Sequence, residues 1–144
     1  MKTCGEIMTK ELTCCLPNEM VSVVAKMMKQ ANIGSVPVIE DNQTKKILGI
    51  VTDRDLAVKI VAEGRDAKTT KVSAVMTHNV ITCRPEDDLQ VALDLMAKNQ
   101  LRRLPVLDKE KNLVGIIAQA DVATRVNEPE ETAAMVKEIS QSNT

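Results

Sequence analysis

Phenylalanine, tyrosine and tryptophan are all absent from this 144-residue chain. Its core must therefore be built from Val, Ile, Leu, Ala and eight Met. Any bound ring system must lie between aliphatic side chains. Single-stranded nucleic acid, whose bases normally stack on aromatic platforms, is a poor partner for such a surface. Charge of either sign is not in surplus. Nineteen basic against twenty acidic residues leave a formal net charge of −1, which exerts no general pull on nucleic acid or an anionic membrane. No apolar run approaches the roughly 18 residues of a membrane span. The start, MKTCGEIMT, lacks the apolar stretch of a secretory signal, so a cytoplasmic protein is expected.

Catalytic and metal-binding signatures are scarce as well. The four cysteines (Cys4, Cys14, Cys15, Cys83) form no CxxC pair and no cluster with the single histidine, His78. Metal binding is therefore a poor reading, and free thiols in a reducing compartment the better one. His78 reads as an exposed loop residue. Cys14 and Cys15 are candidate redox-sensing thiols, against the plainer reading of small buried apolar residues. No nucleophile–base pair and no Walker-type loop appears. The chain is not expected to be an enzyme, and no cofactor is required.

What the chain does contain is a repeat. Met8-Thr9, Cys15, Pro17, Val23, Met28 and Pro37-Val38 return as Met76-Thr77, Cys83, Pro85, Val91, Met96 and Pro105-Val106, an offset of 68. Beyond the turns EDNQTKK and DKEKN the offset falls to 66, carrying GIVTDRDLA (49–57) to GIIAQADVA (115–123). Each copy predicts the same order. An extended piece (LTCCL or VITCR) leads to a proline and then a helix. Asn18 is a plausible N-cap of the first helix, with Met20, Val24, Met28 and Ala31 on one face. The second carries Leu89, Ala92, Leu93, Met96 and Ala97, and Asp87 and Asp88 favour its start. Two apolar runs around a polar turn then make a hairpin, SVPVIE to ILGIV and RLPVLD to LVGII. A last helix follows, stopped in the first copy by Gly64. The fold class is α+β, two pseudo-symmetric β-α-β-β-α repeats packed as a pair. The divisions are 1–63 for the first repeat, 64–72 for a polar linker, 73–126 for the second repeat and 127–144 for a C-terminal amphipathic helix and tail. Pro129 suits the first turn of that helix, and Met135, Val136 and Ile139 form its apolar stripe.

IMT and VMT, NIGSVPV and LRRLPV, and GIVTDRDLA and GIIAQADVA, in order and twice, resemble the CBS domain, named for cystathionine β-synthase. The likeness spans roughly residues 3 to 126 and is that of a stand-alone tandem pair, or Bateman module. The resemblance implies a regulatory module that binds an adenine nucleotide or related adenosyl ligand (AMP, ADP, ATP, S-adenosylmethionine) in clefts between the repeats. It also implies a homodimer, and an unidentified effector protein that responds to it. In the family motif a Ser or Thr hydroxyl meets phosphate or ribose, and an Asp three residues on accepts from the ribose diol. Thr52 and Asp55 match it fully. Asp121 matches in the second copy, where Ala118 replaces the hydroxyl, so two unequal clefts are expected, that of Thr52 and Asp55 being the better ligand site. By position the purine would be held by Ile33, Thr13 and Cys14 in one repeat, and by Leu101, Ile81 and Thr82, with Val80 adjacent, in the other.

Each of these residues has a plainer reading. Thr52-x-x-Asp55 is also the form of a helix capping box, although a helix N-terminus with a hydroxyl equally suits phosphate. Arg102 and Arg103 are either a solvated pair or a guanidinium fork for a phosphate tail, and Arg54 is a further phosphate candidate. Gly34 and Ser35 allow a close backbone approach to a purine edge, or simply turn the chain from helix to strand. The alternative for the whole chain is an interaction or scaffold module without nucleotide, in which Asp55 and Asp121 only serve helix starts.

Overall fold

A computed structural model of the chain describes residues 2–125. The expected C-terminal helix, with Met135, Val136 and Ile139, lies outside the described residues. The chain divides into two compact units, of which one is continuous and the other is assembled from two stretches of chain. One is Thr13–Val80, and the other joins the segment ending at Leu12 to the chain from Ile81 onward.

In the Thr13–Val80 unit, helix α2 (Val21–Ala31) precedes strands β1 (Ser35–Ile39) and β2 (Ile47–Thr52). The strands pair antiparallel, Ser35 opposite Thr52, with a bulge between Val38 and Ile39. Helix α3 (Asp53–Leu56) follows directly and widens into a π-helical turn, Ala57–Val61. The other unit repeats the plan. Helix α4 (Leu89–Asn99) precedes β3 (Arg103–Leu107), β4 (Leu113–Ala118) and helix α5 (Gln119–Arg125). Arg103 lies opposite Ala118, and the bulge recurs between Val106 and Leu107. Both hairpins stand where the apolar runs predicted them.

The edges of each hairpin are closed by short bridges. Cys15 runs parallel to β1, its N–H donating to Pro37 O (3.0 Å), and Cys83 does the same to Pro105 O (3.1 Å). On the far edge Thr77 exchanges two backbone hydrogen bonds with Ile50 (2.7 and 2.9 Å). Its repeat counterpart Thr9 exchanges two with Ile116 (2.9 and 3.0 Å). Each Met-Thr segment thus closes the hairpin of the other copy: residues 70–77 serve the first repeat, and residues 2–9 serve the second.

The correspondence extends along both segments. Val21 N–H donates to Thr70 O, Val72 N–H to Glu19 O and Ser73 N–H to Pro17 O. Leu89 N–H donates to Lys2 O, Cys4 N–H to Asp87 O and Gly5 N–H to Pro85 O. The stretch 64–72, polar in composition, therefore packs within the first repeat's unit, with Val72 and Val75 in its core. Segment 2–9 carries helix α1 (Cys4–Ile7), capped reciprocally by Thr3 and Glu6.

These backbone donors explain two departures from expectation. Asn18 does not cap α2: the helix begins at Val21, its N-cap is Met20, and no side chain caps it. The free N–H groups of its first turn go instead to carbonyls of 67–70, since Ser22 donates to Ala67 O. Asn18 falls in a turn held by Leu16 N–H on the Glu19 carboxylate (2.9 Å). Likewise Asp87 binds Arg84 N–H, and Asp88 is the N-cap position of α4 without a side-chain bond. The buried face of α2 is Val21, Val24 and Met28; Ala31 is exposed at its end. Each of these two helices stops on a left-handed residue that is not glycine, Asn32 (φ 54°) and Gln100 (φ 59°). Gly64 does end the α3 helix, at φ 68°, with Gly64 N–H on Val61 O and Arg65 N–H on Ile60 O.

The glycines that open GIVTDRDLA and GIIAQADVA are demanded by the bridging segments. A Cβ on Gly49 would lie 2.7 Å from Thr77 O and 3.0 Å from Met76 Sδ. A Cβ on Gly115 would run into Met8, at 2.8 Å from its Cγ and closer still to its Sδ. Met-Thr and the motif glycine are therefore two halves of one contact, made once in each unit.

Candidate functional site

The predicted site residues converge on the base of each hairpin. In the first repeat, Ile33, Gly34 and Ser35 lead into β1 while Thr52 leaves β2 opposite Ser35. Asp53 N–H donates to Gly34 O (2.9 Å). Thr13 and Cys14 precede the parallel bridge at Cys15, which brings them beside the N-terminal end of β1. In the second repeat Leu101, Arg102 and Arg103 enter β3, Gln119 N–H donates to Arg102 O (2.9 Å), and Ile81 and Thr82 precede the bridge at Cys83. Val80 ends one unit and Ile81 begins the other.

The capping box at Thr52 is present in full. Asp55 N–H donates to Thr52 Oγ1 (3.1 Å), while Thr52 N–H and Oγ1 donate to Asp55 Oδ2 (3.0 and 3.1 Å). Two further groups, not foreseen from the sequence, reach the same carboxylate. Lys59 Nζ lies 3.0 Å from Oδ1, and Thr77 Oγ1 is 3.3 Å from both oxygens. Lys59 also donates to Val75 O (2.8 Å), so its ammonium ties the π-helical turn to the segment ending at Thr77. Asp55 is the one buried charged residue among those described, at 7% exposure. A carboxylate offers about four lone-pair positions, and these contacts occupy them. The i,i+4 spacing of Asp55 and Lys59 was a sequence signal for this pair. Thr77, 22 residues away, carried none beyond its place in a repeated motif.

The second copy differs. Ala118 cannot cap, and among the described residues no group donates to the half-buried Asp121 carboxylate. The first repeat therefore keeps the complete motif with its acceptor already used. The second keeps an acceptor that no donor reaches among the described residues.

The remaining candidates are more exposed. Arg54 and Arg102 are at the surface and Arg103 is half-buried, and among the described residues none of the three forms an ion pair. Gly34 has no left-handed φ; the turn is made by Asn32, and a Cβ at Gly34 would meet Asp53 Oδ2 at 2.9 Å. Ile33 and Leu101 pack against their units' cores, Thr13 and Ile81 are exposed, and Cys14, Val80 and Thr82 are half-buried. Burial raises the thiol of Cys14 and pushes that of Cys15 up to about 12, so neither is a ready thiolate. His78 is exposed beside Thr77.

Two copies of a hairpin-and-helix unit, each closed by a strand from outside its own repeat and each gathering the same motif at one end, define a tandem-repeat α+β module. Residues 4–62 and 72–128 both match the CBS domain family, and the chain belongs to that family as a tandem pair. It is 38% identical to the CBS domain-containing protein YhcV of Bacillus subtilis over 143 residues, 99% of each chain. Among solved structures it resembles Hypoxic Response Protein I with two coordinated zinc ions (30% identity, TM-score 0.76, covering 87% of this chain and 99% of that one). It also resembles the CBS domain pair of protein MJ0100 in complex with 5′-methylthioadenosine and S-adenosyl-L-methionine (25% identity, TM-score 0.72, covering 86% and 94%). The zinc is a property of that relative. Among the described residues of this chain no three His, Cys, Asp or Glu side chains gather as a metal ion would need. No helix among them is long and apolar enough to cross a membrane.

Proposed function

We propose that this chain is a cytosolic regulatory module that binds an adenosyl ligand, an adenine nucleotide or a relative of it, and passes the binding to an effector protein through a change in conformation. The observation that carries this reading is the half-buried Asp121 carboxylate, at the family's diol-binding position and with no donor on it among the described residues. An ionised Asp only accepts, so it can take both hydrogens of a ribose diol. Ile81, Thr82 and Leu101 would flank the purine, and Arg102 or Arg103 would meet a phosphate tail. Val80 would lie beside this second repeat's purine site. In the first repeat, Thr13, Cys14, Ile33, Gly34 and Ser35 would flank the purine and Arg54 the phosphate. There Thr52 and Asp55 would first have to give up part of the cap. The complex of the MJ0100 pair with two adenosyl ligands supports the ligand class. Exposed Val58 and Val61 supply an apolar surface for a homodimer. Binding would shift whichever arrangement the ligand distinguishes.

The test is a thermal-shift and calorimetric titration with 5′-methylthioadenosine, S-adenosylmethionine, AMP, ADP and ATP. At least one should raise the melting temperature, and Asp121→Ala should remove the shift while the fold persists. If none of the five is bound, the scaffold reading stands, the one that the fully engaged Asp55 favours.

A further inference from the structure

Asp55 divides its work between its two oxygens. Oδ2 accepts from Thr52 N–H and Oγ1 at 3.0 and 3.1 Å, and so makes the cap. Oδ1 takes no part in it. That oxygen lies 3.0 Å from Lys59 Nζ, and Thr77 Oγ1 spans both oxygens at 3.3 Å. An ammonium and a hydroxyl therefore fill the acceptor positions that the cap leaves over.

Both donors are placed by structure outside the cap. Lys59 is carried by the π-helical turn Ala57–Val61, which Ala62 N–H closes on Ala57 O at 2.9 Å. Such turns are rare and concentrate at functional sites. Lys59 Nζ also donates to Val75 O at 2.8 Å, and Thr77 is paired by its backbone with Ile50 in β2. The lysine side chain is nevertheless 38% exposed, against 10% for the aspartate. Lys59 can swing out to water while the carboxylate stays where it is. Asp121 provides the contrast, since no donor reaches it among the described residues.

We propose that Lys59 and Thr77 act as an internal stand-in for a ribose diol, a plug that holds the first repeat closed to adenosyl ligands until one displaces it. The inference rests on the reading of Asp55 and Asp121 as diol acceptors. A diol brings two O–H donors to one carboxylate, and these two residues already supply two. Besides loosening the cap, a ligand in the first repeat has to exchange its hydroxyls for both of them. Lys59 then leaves Val75 O as well as Asp55, which frees the π-helical turn from the segment 70–77 that closes the first hairpin. Occupation of this site is thereby felt at the far end of its unit. An ion pair with one partner this exposed lowers the ligand's affinity by at most about fivefold.

The test uses adenosine, whose lack of charge makes it indifferent to the loss of a lysine as such, and 2′,3′-dideoxyadenosine, which lacks the diol. Each is titrated into the full chain carrying Asp121→Ala, with and without Lys59→Met, and binding is followed by NMR at the amides of Gly34, Ser35 and Thr52. Adenosine should bind about fivefold more tightly with Lys59→Met. The dideoxy compound should gain nothing, and Lys59→Arg, which keeps a cation beside Asp55, should leave adenosine as weak as before. Thr77→Val removes the other donor at similar volume and should also tighten adenosine, which keeps the test open should Lys59→Met not fold. Unchanged adenosine affinity in the folded variants, or an equal gain for the dideoxy compound, overturns the plug. If the unaltered chain binds adenosine through Asp121 while these variants gain nothing, the plug alone falls. If neither the unaltered chain nor any variant binds adenosine, the diol reading falls with it.

Discussion

Replacing Asp55 with alanine should destabilise the chain even with no ligand present. The carboxylate accepts from Thr52 N–H, Thr52 Oγ1, Thr77 Oγ1 and Lys59 Nζ at 3.0 to 3.3 Å, from a site 7% exposed. Loss of the capping partner costs about 1 kcal/mol. The Lys59 pair, with its lysine 38% exposed, is worth at most about 1 kcal/mol. The orphaned Thr52 N–H and Thr77 hydroxyl contribute roughly 1 kcal/mol more. The total is about 3 kcal/mol, or a fall in melting temperature of about 10 °C for a chain this long. Asp55→Asn retains one accepting oxygen and should lose about half as much. Chemical denaturation of Asp55→Asn, Lys59→Met and the double variant should give a coupling of about 1 kcal/mol. Should Asp55→Ala stay within about 0.5 kcal/mol of wild type, or the coupling vanish, the cluster is not holding α3 to the segment at Thr77.

Two further expectations concern single contacts. Gly49→Ala pushes a methyl group onto the backbone oxygen of Thr77, which already accepts from Ile50 N–H, and should cost about 3 kcal/mol in denaturant unfolding. Gly115→Ala meets the flexible Met8 side chain and should cost less, most of it recovered by adding Met8→Ala; equal costs with no recovery would contradict the contact. At the first hairpin turn, Asp41 Oδ1 accepts from Gln43 N–H, Thr44 N–H and Thr44 Oγ1, and these bonds hold its carboxyl below the ordinary 3.8. Its contribution to the turn is present above that value and fades as pH falls through the depressed one. A carboxyl titration followed by NMR should place its midpoint below 3.8, and a midpoint at or above it would mean the turn does not hold the carboxylate.

What could be read from the residues was whatever is local or repeated. SVPVIE–ILGIV announces a hairpin because alternation and a polar turn lie within one short window. Gly64 announces a helix end because glycine tolerates its φ. Thr52 and Asp55 announce a cap because their spacing is itself the geometry. Positions 45, 100 and 111 adopt left-handed backbone with Lys, Gln and Lys, residues that do not mark such turns, whereas Asn32 is of a type that does. Met8 and Gly115 are 107 positions apart, and nothing short-range tells which hairpin a Met-Thr segment will close. The same distance hid the role of Thr77 at Asp55. At the candidate site, the motif's residues were legible and their occupancy was not. The copy with the complete motif is the one whose carboxylate is already engaged.

The crossing of the chain between units has a kinetic side. Thr13–Val80 is continuous and can fold as soon as it has been synthesised. The other unit cannot, because its first strand is made first and its partner last. At ~5–20 residues/s, Thr9 waits about 5–20 s for Ile116 to appear. Throughout that interval Cys4, Ile7 and Met8 are apolar side chains without their core. The start of the chain is thus the last piece to settle, and the stage at which a chaperone, or a second nascent copy, has longest to intervene.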